Sequence, residues 1–344
     1  MIKSEELVFD FNKLILHPQF EETLREISKL DVSLPDFSSN VGLSFDDYAF
    51  STNGELVTPV SEISKVKLDS SGGEGAAKKY AVSAYDESIN RFDSLEGIAY
   101  FTSHSLVVLG VKEYIPINYL TFYFYTRSNE IVNKSKYIKF SKDPEMDSKV
   151  DYIKDKIAFL EKATPPKSIL LIDGPLIGGD VYTRMIAAID KFLEKETIPV
   201  FFVKNSTSNM VTDNIKQLRD KYNSDMHWSY NFLSLGTRTN FFRYADKNNP
   251  DNAKVFCYMK SFNISPQRVE MHKDTYIRYE KIIPEIMDMV HYFMLVQGNI
   301  NNPQVRPIAV AESYARETLK LVNINKLMKE VGIVPTMNQN RFGW

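Results

Sequence analysis

Ser168–Asp180 reads SILLIDGPLIGGD, and the order of residue types within it decides the fold class. Ile169–Ile172 is apolar throughout, too short for a helix and rich in β-branching, so it predicts a strand buried on both faces. Asp173 closes that strand, and Gly174-Pro175 breaks the ladder and turns the chain. Beyond the turn, Tyr182–Leu193 (YTRMIAAIDKFL) has apolar residues at helical spacing, which makes the unit strand, turn, helix. In such α/β units reactive groups gather at the carboxyl edge of the sheet, where a carboxylate is placed to hold a cation. Capping the following helix is the simpler role for Asp173 on these residues alone.

The 344 residues are 43% hydrophobic and 25% charged, enough for one large or two smaller domains with a substantial core. Lysine and arginine number 42 against 44 acids, so no basic excess of the whole chain announces nucleic acid, although a groove needs only a local patch. Cys257 is the single cysteine, which excludes an internal disulfide or a thiolate cluster and suits a reducing compartment. No apolar run approaches the roughly 20 residues that span a bilayer, and MIKSEELVFD lacks the apolar core of a signal peptide. The expectation is a cytoplasmic protein without a membrane partner.

Upstream, residues 4–30 carry the spacing of two amphipathic helices parted at His17-Pro18, because proline disfavours helix in the residue before it. Leu43–Val60 changes to a strand-like period, with Asn53-Gly54 suited to a tight hairpin turn. Ser70–Gly75 (SSGGEG) reads as a flexible loop or linker. It is no phosphate loop, since Lys78-Lys79 is followed by Tyr80 and not by Ser or Thr.

Tyr80–Tyr85 (YAVSAY) predicts a strand ending at Asp86, and Gly97–Leu109 and Leu120–Thr126 complete an antiparallel meander. Asp147–Lys162 is an amphipathic helix ended by Pro165-Pro166. Pro199–Val203 predicts a short buried strand ending at Lys204, and Thr212–Tyr222 a helix. Phe241–Tyr244, Lys254–Lys260 and the segment 266–270 read as strands, Tyr279–Val296 and Pro307–Val322 as helices. If the strands ending at Asp86 and Asp173 are neighbours, their carboxylates reach one or two divalent cations, and Lys204 at the next strand end offsets charge on a reacting phosphate. Structural acids and a solvated lysine are the duller alternative.

In order along the chain, Tyr80-Ala-Val-Ser-Ala-Tyr-Asp86, Leu170-Leu-Ile-Asp173-Gly-Pro-Leu176, Val203-Lys204, Leu235-Gly-Thr-Arg-Thr239 and Pro266-Gln-Arg-Val-Glu270 resemble the motifs of the NurA nuclease family. Each motif is short, and their order carries the likeness from about Tyr80 to the last long helix. The resemblance implies an α/β fold with an RNase H-like mixed sheet flanked by helices. The N-terminal helices and hairpin (residues 1–70) would extend a nuclease domain over 77–344. It implies a DNA end-processing deoxyribonuclease dependent on manganese, with magnesium as the alternative ion. It also implies a homodimer and a HerA-type hexameric ATPase as partner.

Carried over by position, Asp86 and Asp173 match the family's two strand aspartates. The family also has a glutamate on the helix before the second strand. The nearest equivalent is Asp155, with Asp151 one turn earlier as substitute. Asp is one methylene shorter than Glu, so its oxygen falls short by about a bond length. A Tyr-Pro and later Ala-His are replaced by Arg306-Pro307 and Tyr314, and a phenol substitutes poorly for an imidazole as ligand or proton shuttle. Glu312 replaces a lost ligand if its helix faces the site, and a solvated acid is the plainer reading. These departures set beside the nuclease a weakened NurA-like subunit that binds DNA and the ATPase without efficient cleavage, and, more distantly, an unrelated α/β binding protein. Arg268 and Glu270 read as a surface ion pair or a bridge across the dimer, Thr237-Arg238-Thr239 as a phosphate-binding segment or a hairpin turn, and Phe122–Tyr125 as half core, half exposed face or as a stack for unpaired bases; Arg306 and Tyr314 join Arg238 as candidates for DNA or phosphate contact.

Overall fold

The computed structural model describes residues 55–59, 62–109, 113–133, 138–177, 182–246, 249, 251–298, 303–330 and 332–336. The helices read from residues 4–30 and the Asn53-Gly54 turn lie outside them. Two short strands, β1 (Glu55–Pro59) and β2 (Lys65–Lys67), precede helix α1 (Ser70–Lys79). Three long strands follow, β3 (Ala81–Asp93), β4 (Ile98–Leu109) and β5 (Tyr114–Thr126), then α2 (Asn129–Val132), β6 (Ile138–Phe140) and α3 (Pro144–Ala163). The central unit is β7 (Ser168–Asp173), a 3₁₀ segment (Tyr182–Ala188), α4 (Ile189–Glu194) and β8 (Ile198–Val203). After α5 (Asp225–Phe232) come β9 (Thr237–Thr239), β10 (Phe242–Asp246), β11 (Ala253–Lys260) and β12 (Gln267–His272). Helices α6 (Lys273–Tyr279), α7 (Ile283–Gln297), α8 (Arg306–Lys320) and α9 (Ile324–Glu330) close the described chain.

All twelve described strands join one sheet, ordered β1-β10-β11-β12-β8-β7-β3-β4-β5-β6, with β9 joining β2 to β11. The β3-β4-β5 meander is antiparallel, while β7 runs parallel to both β3 and β8. This mixed order, with α3 carrying the chain from β6 back to β7, is the RNase H-like arrangement, extended by antiparallel pairing of β12 against β8. Both faces of the centre are covered, which is why ILLI is apolar without alternation. Val82, Ala84, Ile169, Leu171 and Val200 pack beneath α7 and α8. Tyr85, Leu170, Ile172 and Phe201 pack against α3 and α4 on the other face.

Ser70–Gly75 is the first correction. It opens a helix, not a linker: Asp69 caps it by accepting the Ser71 N–H at 3.0 Å. A Cβ on Gly73 would stand 2.1 Å from the Asp288 carbonyl oxygen of α7, so glycine there lets two helix backbones approach closely. Thr212–Tyr222 is the second. Its amides bond three and four residues back in separate turns, Leu218 to Ile215 and Ile215 to Val211. Buried Asp225 takes the Val211 and Thr212 amides at the start of this segment, at 3.0 and 2.8 Å.

In urea denaturation, Gly73→Ala should destabilise the protein by about 2 kcal/mol or more through overpacking. Gly75→Ala, in the same helix with nothing within 4 Å of its added Cβ, should instead stabilise it by about 1 kcal/mol. Equal effects would contradict the close helix contact.

Candidate active site

Strand β3 pairs in parallel with β7 from Ala81–Ser168 to Tyr85–Ile172, and Asp86 stands one step beyond the last pair. The sequence places Asp86 at the end of a strand; what ends there is only the parallel pairing, because β3 continues to Asp93 against β4. Asp173 is the last residue of β7, opposite Phe202 of β8. Alternation along the strands puts both aspartates on the face that packs beneath α7 and α8. Gly174 follows with φ of +97°, in the left-handed region that admits glycine most readily, and its N–H is held by the Phe202 carbonyl at 2.8 Å.

Lys204 leaves the end of β8 into the same space. Its Nζ lies 3.2 Å from Asp173 Oδ2, 4.0 Å from Asp86 Oδ2 and 4.0 Å from Glu312 Oε2 of α8. The two aspartate oxygens are both measured from one nitrogen, so they share a single small volume. Glu312 is itself steadied by Gln304 Nε2 at 2.8 Å and by an ion pair with Arg316. The helix face that brings Glu312 inward is the one that buries Ile308 and Ala315 with Ala311.

The electrostatics are those of a site short of positive charge. Asp86 is 4% exposed, and its Oδ2 and the Asp173 Oδ1 are buried with no hydrogen-bond partner. Burial, then the neighbouring Asp173 and Glu87 carboxylates, push Asp86 up to about 8. Burial likewise raises Asp173, against the pull of Lys204. Orphaned carboxylate oxygens are the mark of a place that suits a hard cation, which takes oxygen ligands. Among the described residues no three His, Cys, Asp or Glu side chains converge as a finished metal cage. Lys204 stands between the acids, so the donor set fits a cation with two aspartates as its nearest ligands.

Several residues singled out in the sequence lie elsewhere. Asp155 accepts a hydrogen bond from Tyr123 Oη on β5 at 2.8 Å, and Asp151 accepts from Tyr125 Oη and Lys139 Nζ, each at 2.6 Å. Four residues apart, they share the stripe of α3 that faces the meander's outer strand, away from the Lys204 cluster. It is the next residue, Lys156, that reaches the centre: its buried Nζ donates to the Asp173 carbonyl at 3.3 Å and faces Glu87 at 3.8 Å. Arg238 is buried over the Phe241 ring and donates to the Thr239 carbonyl, because β9 is sandwiched between β2 and β11. Arg306 donates to Tyr114 Oη and to the Val296 carbonyl, and Tyr314 is exposed, two positions round the helix from Glu312.

The Arg268–Glu270 pair is buried, not superficial. Glu270 is fully enclosed, with Arg268 Nε at 2.6 Å and Lys254 Nζ at 2.7 Å on its Oε1. Burial opposes its charge, but those two cations hold it below the usual carboxylate range. Period-two alternation revealed that residues 268 and 270 share a face; that the face is covered depends on α5 and the Leu176 turn.

A family model described as NurA domain matches residues 96–292, more than half of the chain. That span contains Asp173 and Lys204 and stops short of Asp86 and Glu312. The crystal structure of the NurA nuclease from Sulfolobus solfataricus is similar at 11% identity, covering 91% of this chain and 95% of that one, with a TM-score of 0.50. A NurA crystal structure with manganese is similar at 10% identity over 72% and 89% of the two chains, TM-score 0.38. Endonuclease V from Bacillus subtilis is similar at 10% identity over 73% and 85%, TM-score 0.39. No curated protein matches.

The raised Asp86 carboxyl sets a pH signature. A folded-state value above the ordinary carboxylate one means stability is full below the unfolded value and lost as pH rises through the folded one. Without metal, thermal stability should therefore fall between about pH 4, the ordinary aspartate value, and the Asp86 value of about 8. Asp86→Asn should flatten that fall in melting curves, and an unchanged slope would contradict the assigned environment.

Proposed function

Given that the chain belongs to the NurA family, we propose that it is a metal-dependent deoxyribonuclease whose centre is Asp86, Asp173 and Lys204. The observation that supports this most is buried Asp86 beside half-buried Asp173 on the adjacent strand, each with an unpartnered buried oxygen, around one lysine. Asp86 and Asp173 would hold manganese, or magnesium in its place, with Glu312 near enough to take part in place of the Asp155 expected from the helix. When bound, such an ion polarises a phosphodiester and lowers the pKa of water. Lys204 neutralises charge on the reacting phosphate, its ammonium already drawn to this point by the acids. Lys156 fixes the Asp173 main chain from the opposite face. The same reading takes DNA ends as substrate, a homodimer as the working form, a HerA-type hexameric ATPase as partner and the cytoplasm as location, the last in keeping with the lone cysteine.

A second reading, a NurA-like subunit that binds DNA and the ATPase without efficient cleavage, draws on Arg306 and Tyr314 standing where the family has Tyr and His, and on Asp155 being engaged by Tyr123. The two separate in one assay of labelled single- and double-stranded DNA with manganese. The nuclease reading expects cleavage by the native protein, background levels for Asp86→Ala and Asp173→Ala, and a loss of roughly 10²-fold for Lys204→Ala. Asp155→Ala should stay within about twofold of the native rate, as expected of a residue remote from the chemistry. Equal cleavage by native and Asp173→Ala protein rejects the site, and intact DNA with retained binding supports the second reading.

A further inference from the structure

We propose that the buried Lys254–Glu270–Arg268 network is the positioning device of this site, holding at one carboxylate the two turns that carry Asp173 and Lys204; the inference rests on the nuclease reading above for what is positioned. The triad lies on the sheet face opposite the aspartates, since Glu270 pairs with Phe201, whose side chain packs under α3 and α4. From there it reaches round both strand ends. Glu270 Oε2 accepts the Leu176 N–H at 3.0 Å, and Lys254 Nζ donates to the Ile177 carbonyl at 3.3 Å. Arg268 Nη1 donates to Ser206 Oγ at 3.1 Å and Ser208 Oγ at 2.7 Å. Leu176 and Ile177 follow Asp173 by three and four residues, and Ser206 and Ser208 follow Lys204 by two and four.

One guanidinium therefore binds the second turn and, through Nε, the same carboxylate that binds the first. Arg268 suits this because its planar fork holds Nε on Glu270 and Nη1 on the two serines in one fixed geometry, a rigidity that a lysine ammonium on its flexible stem lacks. The turns after Asp173 and Lys204 are thus tied to one carboxylate from a single face of the sheet, the first through main-chain groups and the second through serine hydroxyls.

The decisive variants are Ser206→Ala with Ser208→Ala, which releases one turn and leaves the buried charges intact, and Arg268→Lys, which keeps the charge and loses the fork. Three quantities are read on the full chain: hydrogen exchange without metal, manganese affinity by calorimetry, and kcat and KM on labelled DNA. The proposal expects faster exchange over 203–208 with an unchanged unfolding midpoint. Manganese affinity and kcat should fall by about 10-fold to 100-fold while KM for DNA holds, as for other groups that orient ligands from behind. Combining Arg268→Lys with the serine pair should cost less than the sum of the two separate losses, because both remove the link between Arg268 and the second turn. If Arg268→Lys does not fold, the serine pair decides alone. Unaltered exchange and manganese affinity in the folded serine variant would overturn the proposal. Altered exchange and affinity in a protein that never cleaves DNA would uphold the clamp and reject the nuclease reading.

Discussion

The structure turns on the cost of drawing two like charges out of water on adjacent strands, where the parallel pairing of β3 with β7 ends. Asp86 and Asp173 are brought together by backbone pairing of β3 with β7, and the pairing leaves them little choice of distance. Withdrawn from water, each disfavours ionisation of the other, and a single ammonium from Lys204 compensates only part of this. A site under such tension has a strong preference for added positive charge, and that preference is the root of its chemistry.

The sheet separates chemistry from support. One face presents the aspartates, Lys204 and Glu312 beneath α7 and α8; the other carries Lys156 and the Lys254–Glu270–Arg268 network. Polar groups from the second face hold the carbonyl of Asp173 and the turn amides beyond it. Each buried charge in the supporting layer is paired and hydrogen-bonded, as low polarity demands. On the working face one oxygen of each aspartate, Asp86 Oδ2 and Asp173 Oδ1, is left without a hydrogen-bond partner.

Helix packing completes the site from a distance. Glu312 enters because α8 lies across β3 and β4, and the close approach of α1 to α7 at Gly73 seats that helical layer. Composition alone misread both: the glycines resembled a linker, and Glu312 resembled a solvated acid. In each case what matters is a surface supplied by another element, which local sequence does not record.

Period-two and apolar-run patterns in the sequence determined the meander, the buried β7 and β8, and the placement of Asp173 and Lys204 at strand ends, because those features follow from local residue order. The ordered motifs likewise pointed to the family. Only the tertiary structure decided that Asp86 lies within a long strand, that Lys156 and Glu312 reach the centre where Asp155, Arg306 and Tyr314 do not, and that Arg268–Glu270 is enclosed. Those outcomes depend on helix rotation over the sheet and on which face a neighbour covers. A one-residue difference on a helix swings a side chain by about 100°, and no local pattern sets that angle against a distant strand.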